Sequence, residues 1–179
     1  LYLNSLGKKT YKVSMDDYYK ELEEIKSDEN GKRDFESLDA IDLKLFMSQM
    51  EDLLKGKEVV LPRYIFNQAH KVFDGDSIKV EKDDIVIIEG LHCLNEEVSK
   101  NIIKKDKYKV YVSPFTPLTL DRHNYISTTE NRLLRRIVRD IQRRNTSAQK
   151  TAEMWPEVVA VEEQYIEPYR TKVDYYVNT

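Results

Sequence analysis

Four arginines recur at helical spacing near the carboxyl-terminal third of this chain: Arg132, Arg136, Arg139 and Arg143. At 100° per residue they fall within about 60° of one another on one helix face. Guanidinium groups so aligned repel one another unless an anion lies between them, and a polyphosphate is the guest that fits. The apolar residues Leu133, Leu134, Ile137, Val138 and Ile141 gather on the other side, which predicts a helix packed through that side with a cationic rail outside. The plainer alternative is a solvated face whose arginine stems lie over apolar surface. Two acidic positions complement the rail. Asp16 and Asp17 end a short alternating stretch, where they could serve as a general base and a metal-linked carboxylate, or simply cap the next turn. Glu89 directly follows the apolar run Ile85-Val86-Ile87-Ile88. A carboxylate there loses solvation unless it meets a cation, a metal-bound water or a helix amino terminus. Strand-end carboxylates together with a cationic helix describe a place for a magnesium nucleotide.

The elements that would position these groups alternate between strands and helices. Leu1 to Leu6 reads as the tail of a helix closed by Gly7, and Thr10 to Met15 as a strand delivering Asp16 and Asp17 to its carboxyl end. In open α/β sheets that edge is where ligands bind. Lys20 to Arg33 reads as a loop or short helix. Ser37 is placed to cap a helix burying Ile41, Leu45, Phe46, Met50, Leu53 and Leu54, with Gly56 ending it. Glu58 to Phe66 and Lys71 to Val80 form a projecting hairpin turning at Asn67-Gln68. The run before Glu89 has the pattern of a strand buried on both faces, and Tyr108 to Val112 repeats it. Ser127-Thr128-Thr129-Glu130 is a capping box opening the arginine helix, with Asn145 as its left-handed stop. Thr146 to Gln164 reads as a further helix despite Pro156, and Val173 to Val177 as a closing strand. The stretch from Ser113 to Thr129 has no clear period and reads as a cover over the sheet.

Composition bounds the function. The 179 residues, 40% of them hydrophobic, suffice for one domain over 1–179 with a sizeable core. With 29 basic against 32 acidic residues, the chain lacks the overall positive charge of a dedicated nucleic-acid binder; its basic character is local. Cys93 is the single cysteine, so no internal disulfide framework exists, and the apolar runs are too short to span a bilayer. The expectation is a cytoplasmic protein with neither a nucleic acid nor a membrane as partner.

Five dispersed strings carry a family resemblance: Val13-Ser14-Met15-Asp16-Asp17-Tyr18-Tyr19, Asp34-Phe35-Glu36-Ser37-Leu38-Asp39-Ala40-Ile41-Asp42, Pro62-Arg63-Tyr64-Ile65-Phe66, Ile87-Ile88-Glu89-Gly90 and Arg135-Arg136-Ile137-Val138-Arg139-Asp140. Their order and spacing resemble the uridine kinase and phosphoribulokinase family, in its uridine-cytidine kinase branch, and Glu163-Gln164-Tyr165-Ile166-Glu167-Pro168 extends the match. The resemblance implies an α/β P-loop NTPase fold of the nucleoside kinase type: a three-layer sandwich with a mostly parallel sheet, a β-hairpin excursion and a helical lid. It implies transfer of the γ-phosphoryl group of ATP or GTP, with Mg2+, to a nucleoside 5′-hydroxyl. Asp16 resembles the catalytic carboxylate, and Tyr19 a residue lining the nucleoside pocket. Glu89 resembles the acid that holds magnesium through water, a role Asp16 would share. Arg136, Arg139 and Arg144 resemble lid residues that neutralise the moving phosphate; Arg143 joins them by geometry alone. Tyr64 and Phe66 would stack on a base or sugar. The resemblance also implies that copies of the chain can form a homo-oligomer, although no stripe in the sequence marks an interface.

The chain departs from the family pattern in four places. Glu36 stands where the family's ribose-binding Asp is expected. Ala69 occupies the place of a base-reading His, with His70 one residue further on. Asn145 and Thr146 replace a Gly-Arg pair after the lid. No Gly-x-x-x-x-Gly-Lys-Ser/Thr string occurs, and because that loop would precede Leu1, the expectation is a piece of a longer protein, truncated at both ends. Two other readings stay open: a kinase of the same fold acting on a sugar phosphate or pantothenate-like acceptor, and a catalytically inactive nucleotide-binding or regulatory module. Nucleic-acid binding along the arginine rail is a further alternative, disfavoured by the acidic balance.

Overall fold

The computed structural model describes residues 2–27, 33–66, 68–75, 77–102, 104–113, 118–143 and 145–178, with the side chains of residues 2, 118 and 143 excepted. The chain divides into two compact units, Leu1–Lys107 and Tyr108–Thr179.

In the first unit a short helix, α1 (Tyr2–Ser5), ends at Gly7, whose φ of 76° closes it as expected. Strand β1 (Thr10–Ser14) runs into a 3-10 turn over Met15–Tyr18. Helix α2 spans Leu43–Leu54, and Asp42, not Ser37, is its cap: Asp42 accepts the Leu45 N–H, while Ser37 caps a separate 3-10 turn at Leu38–Ala40. Tertiary contacts decide between the two caps. The Asp42 N–H donates to the Tyr18 carbonyl, and Tyr19 bridges Ile41, so the segment before α2 is laid along the end of β1 and cannot coil. Gly56 (φ 72°) ends α2.

The expected hairpin is four short strands, β2 (Glu58–Val60), β3 (Arg63–Ile65), β4 (His70–Val72) and β5 (Ser77–Lys79). They pair β2 with β5 and β3 with β4, both antiparallel. Pro62, which has no N–H to give a ladder, falls in the break between the first two. The anticipated turn residue Asn67 lies outside the described residues, and Ala69 beside it is left-handed at φ 49°. Strand β6 (Ile85–Glu89) lies parallel to β1, with Ser14 opposite Glu89. It is not buried on both faces: Ile87 is 44% exposed, because β6 packs through Val86 and Ile88 against the core while Ile87 and Glu89 face outward. That core contains Val13, Met15, Tyr18, Phe46, Met50 and Leu53.

The second unit contains β7 (Val110–Ser113), the small antiparallel pair β8 (Leu118–Thr119) and β9 (Tyr125–Ile126), helices α3 (Thr128–Arg143), α4 (Ala148–Tyr165) and α5 (Glu167–Arg170), and β10 (Tyr175–Asn178), which is parallel to β7. The capping box forms as its sequence requires. The Ser127 hydroxyl accepts from the Glu130 N–H, and the Glu130 carboxylate accepts from the Ser127 N–H. Asn145 adopts φ 51° beyond the helix end, and α4 continues through Pro156. Among the described residues, no helix is long and apolar enough to cross a membrane.

Candidate active site

Pairing of β1 with β6 determines where the acids lie. In parallel register Ser14 is opposite Glu89, so Asp16 and Glu89 leave the same edge of two adjacent strands. Gly90 makes the close approach possible: its φ is 154°, and a Cβ there would stand 2.8 Å from the Met15 Cβ. Both carboxylates are near Cys93, whose thiol is pushed up to about 12, first by burial and then by Glu89 and Asp16. Glu89 also meets Lys12 Nζ at 3.2 Å, an exposed contact on the outward face of the strand pair. Asp17 has a different task. Its carboxylate accepts the Tyr64 N–H at 3.1 Å and so pins β3 to the turn after β1.

That pin brings together three of the aromatic residues singled out from the sequence. Tyr19 packs on Tyr64 at 5.5 Å between ring centroids and on Phe66 at 5.9 Å, and Tyr64 meets Phe66 at 5.1 Å. Tyr64 is buried whereas Phe66 is 60% exposed, so the cluster presents one open ring edge. Such an assembly can stack against a flat ring or cover a sugar. Glu36 is in the loop beside it. The Tyr19 hydroxyl donates to the Phe35 carbonyl at 3.0 Å, and His92 Nε2 donates to the Glu36 carbonyl at 2.8 Å. His70 begins β4, and its Nδ1 lies 3.0 Å from a Glu21 carboxylate oxygen. The Glu21 carboxyl is held below its ordinary range mainly by this bond, with help from the Lys71 N–H.

Asp16 and Glu89 offer hard oxygen donors at one strand edge, and among the described residues no group of three or more His, Cys, Asp or Glu forms a metal cage. This donor set fits magnesium, which keeps several waters and takes one or two protein carboxylates.

The arginines belong to the second unit. Contrary to the expected packing, α3 does not bury its whole apolar stripe: Leu134, Val138 and Ile141 are each at least half exposed, while Leu133 and Ile137 at the stripe's edge are partly buried. The Arg132 and Arg136 edge of the arginine side is turned toward α4, whereas Arg139 is more exposed. Arg132 pairs with Glu162 and lies over the Trp155 ring at 5.8 Å. Arg136 and Arg139 each place Nε 3.4 Å from buried Asp140, which also accepts from the Thr151 hydroxyl at 3.2 Å. The two contacts that cross to α4, Arg132 with Glu162 and Asp140 with Thr151, determine the roll of the helix. Arg132 also borders a cavity of about 340 Å3 with Thr128, Thr129, Glu162, Glu163 and Arg170. The Arg143 side chain and all of Arg144 lie outside the described residues. Sequence reasoning missed His92, whose place three residues behind Glu89 was its one signal, and held Gly90 and Asp140 as members of the strings around Glu89 and Arg136 without a role of their own.

Comparison with known proteins places this geometry among relatives. The profile of the Phosphoribulokinase / Uridine kinase family matches residues 4–179. The uridine kinase of Halobacterium salinarum is 25% identical over 173 residues, covering 96% of this chain and 68% of the relative. That of Brevibacillus brevis is 27% identical over 163 residues, covering 90% and 68%. A solved structure described as a possible uridine kinase from Bacillus stearothermophilus superposes with a TM-score of 0.54 at 15% identity, covering 99% of this chain and 76% of that one. The fold is thus the α/β P-loop type of these kinases, with parallel strand pairs and flanking helices. A profile match across nearly the whole length, joined to strand-end acids in register, establishes that the chain belongs to the phosphoribulokinase and uridine kinase family of kinase-type phosphotransferases.

Proposed function

We propose that this protein is a cytoplasmic nucleoside kinase, transferring the γ-phosphoryl group of ATP or GTP to the 5′-hydroxyl of a uridine- or cytidine-like nucleoside, and that residues 1–179 work as one catalytic domain. The observation that carries the reading is the placement of Asp16 and Glu89 at the same edge of paired parallel strands, beside the Tyr19, Tyr64 and Phe66 cluster. Asp16 accepts the proton of the acceptor hydroxyl as its oxygen bonds to the γ-phosphorus; the bond from that phosphorus to the bridging oxygen breaks, and its electrons leave with the nucleoside diphosphate. A positioned base of this kind contributes about 10²–10⁴-fold. Glu89, with Asp16, would hold magnesium through water, supplying charge neutralisation at the phosphates when bound. Glu36 accepts from the sugar hydroxyls, Phe66 presents its open edge to the ring with buried Tyr64 packed behind it, and His70 contacts the base edge. Arg136 and Arg139, with Arg143 and Arg144, neutralise the moving phosphoryl group.

The supporting experiment is a substrate panel. Full-length protein with magnesium ATP is expected to convert uridine or cytidine to the 5′-monophosphate. Turnover of a sugar phosphate or pantothenate, with none of any nucleoside, would move the protein to a different acceptor class. Absence of all turnover with retained nucleotide binding would favour a regulatory module.

A further inference from the structure

The loop holding Glu36 is gripped at two consecutive carbonyls by side chains from two different strand ends. Tyr19, just beyond β1, donates to the Phe35 carbonyl, and His92, just beyond β6, donates to the Glu36 carbonyl. From within, the Asp34 carboxylate accepts the N–H groups of Glu36 at 3.0 Å and Ser37 at 3.1 Å, which sets the shape of the turn. Tyr19 has its own place in the aromatic cluster. His92 does not: it is 5% exposed, three residues past Glu89, and across the tight turn at Gly90. An imidazole is costly to bury where an apolar side chain of equal volume would fill the space. Burial holds it below the ordinary histidine range, against the pull of the Glu36 carbonyl and the carboxylates of Glu36, Asp16 and Asp34. At neutral pH it is therefore the neutral ring, donating through Nε2.

We propose that His92 is a positioning residue for the phosphoryl acceptor: it ties the Glu36 loop to the Glu89 turn, so that the acceptor-binding loop keeps a fixed place relative to the Asp16 and Glu89 pair. This rests on Glu36 being an acceptor ligand. The Glu89 end of the tie is already fixed by strand pairing, with Ser14 opposite Glu89, so its loss releases the Glu36 loop. That release should weaken acceptor binding and leave the nucleotide donor's binding unchanged, a pattern that general loosening of the fold would not give.

The experiment compares His92→Leu, which keeps volume without a donor, with His92→Gln, whose amide N–H can reach the same carbonyl. In full-length protein with magnesium ATP and uridine as probe, His92→Leu is expected to raise the uridine KM about tenfold, the loss of one buried hydrogen bond. The ATP KM and kcat should stay within about threefold, and His92→Gln should recover most of the effect. Should His92→Leu not fold, His92→Asn, whose shorter amide stops short of the carbonyl, takes its place with the same expectations. A parallel rise in both KM values, or no recovery by His92→Gln, would overturn the proposal. If the wild type does not act on uridine, the nucleoside reading fails separately, and the tie is decided without substrate by hydrogen exchange at the Glu36 and Ser37 amides. Slow exchange in wild type and His92→Gln with fast exchange in His92→Leu supports the tie; equal rates in all three refute it.

Discussion

Replacing Gly90 by alanine tests how closely the two acidic strand ends are pressed together. The added Cβ would stand 2.8 Å from the Met15 Cβ, 3.4 Å from its Cγ and 3.5 Å from Cys93 Sγ. Met15 is 2% exposed, and its Cβ cannot swing away as the end of a long side chain could, so the backbone of β1 or of the Glu89 turn must shift. Overpacking of this kind costs about 1–3 kcal/mol, and alanine at a φ of 154° adds about 1–3 kcal/mol of strain, giving about 2–6 kcal/mol together. Gly56→Ala separates the two contributions: its φ is 72° but the nearest atom is the Val80 carbonyl oxygen at 3.8 Å, so only about 1–2 kcal/mol of backbone strain is expected. Urea unfolding reads both, followed by far-ultraviolet circular dichroism, with the fluorescence of Trp155 reporting the second unit. Because Asp16 and Glu89 flank the contact, turnover of Gly90→Ala should fall about 10²-fold through misplacement near 1 Å. A loss below about 0.5 kcal/mol with unchanged turnover, or a larger loss for Gly56→Ala, would refute the reasoning.

Asp42 both caps α2 and meets Lys71 Nζ at 3.1 Å, and the Lys71 side chain is only 9% exposed. Asparagine still caps, so Asp42→Asn should cost about 2–4 kcal/mol at neutral pH by leaving the ammonium without its carboxylate. Burial pushes the Asp42 carboxyl up, yet the Leu45 N–H and Lys71 outweigh it and hold it below its ordinary 3.8. Its contribution is therefore present above that value and lost as pH falls through the folded one, so urea midpoints of variant and wild type should converge in acid. Asp140→Ala should cost about 3 kcal/mol in thermal unfolding followed by Trp155 fluorescence, since it leaves Arg136, Arg139 and the Thr151 hydroxyl without their shared partner. Ala69→Gly should stabilise by about 0.5–1 kcal/mol in urea, because Ala69 stands at φ 49° where glycine meets no Cβ penalty.

Elements whose signals are local were legible in the sequence. The alternating run before Asp16, the apolar run before Glu89, the capping box at Ser127 and the left-handed stop at Asn145 all formed where their chemistry required. The start of α2 was not legible, because Ser37 and Asp42 are both good caps and the choice is made by the Tyr18 carbonyl from another segment. Periodicity gathered the arginines of α3 on one face but could not say which face meets a neighbour; Glu162 on α4 and buried Asp140 settle that. The aromatic cluster could be named residue by residue, whereas the Asp17 pin that assembles it is a contact across 47 positions. His92 had no pattern of its own, since a single histidine in a loop gains meaning only from the carbonyl it reaches.

The most direct test of the account is phosphorylation of uridine by full-length protein with magnesium ATP, measured side by side for wild type and Asp16→Asn. Asparagine keeps the shape of the side chain but removes the base. The account predicts formation of the 5′-monophosphate by wild type, a fall in kcat of about 10²-fold or more in the variant, and a uridine KM within about threefold. Equal kcat in the two proteins, or a variant whose loss lies entirely in KM, would contradict it.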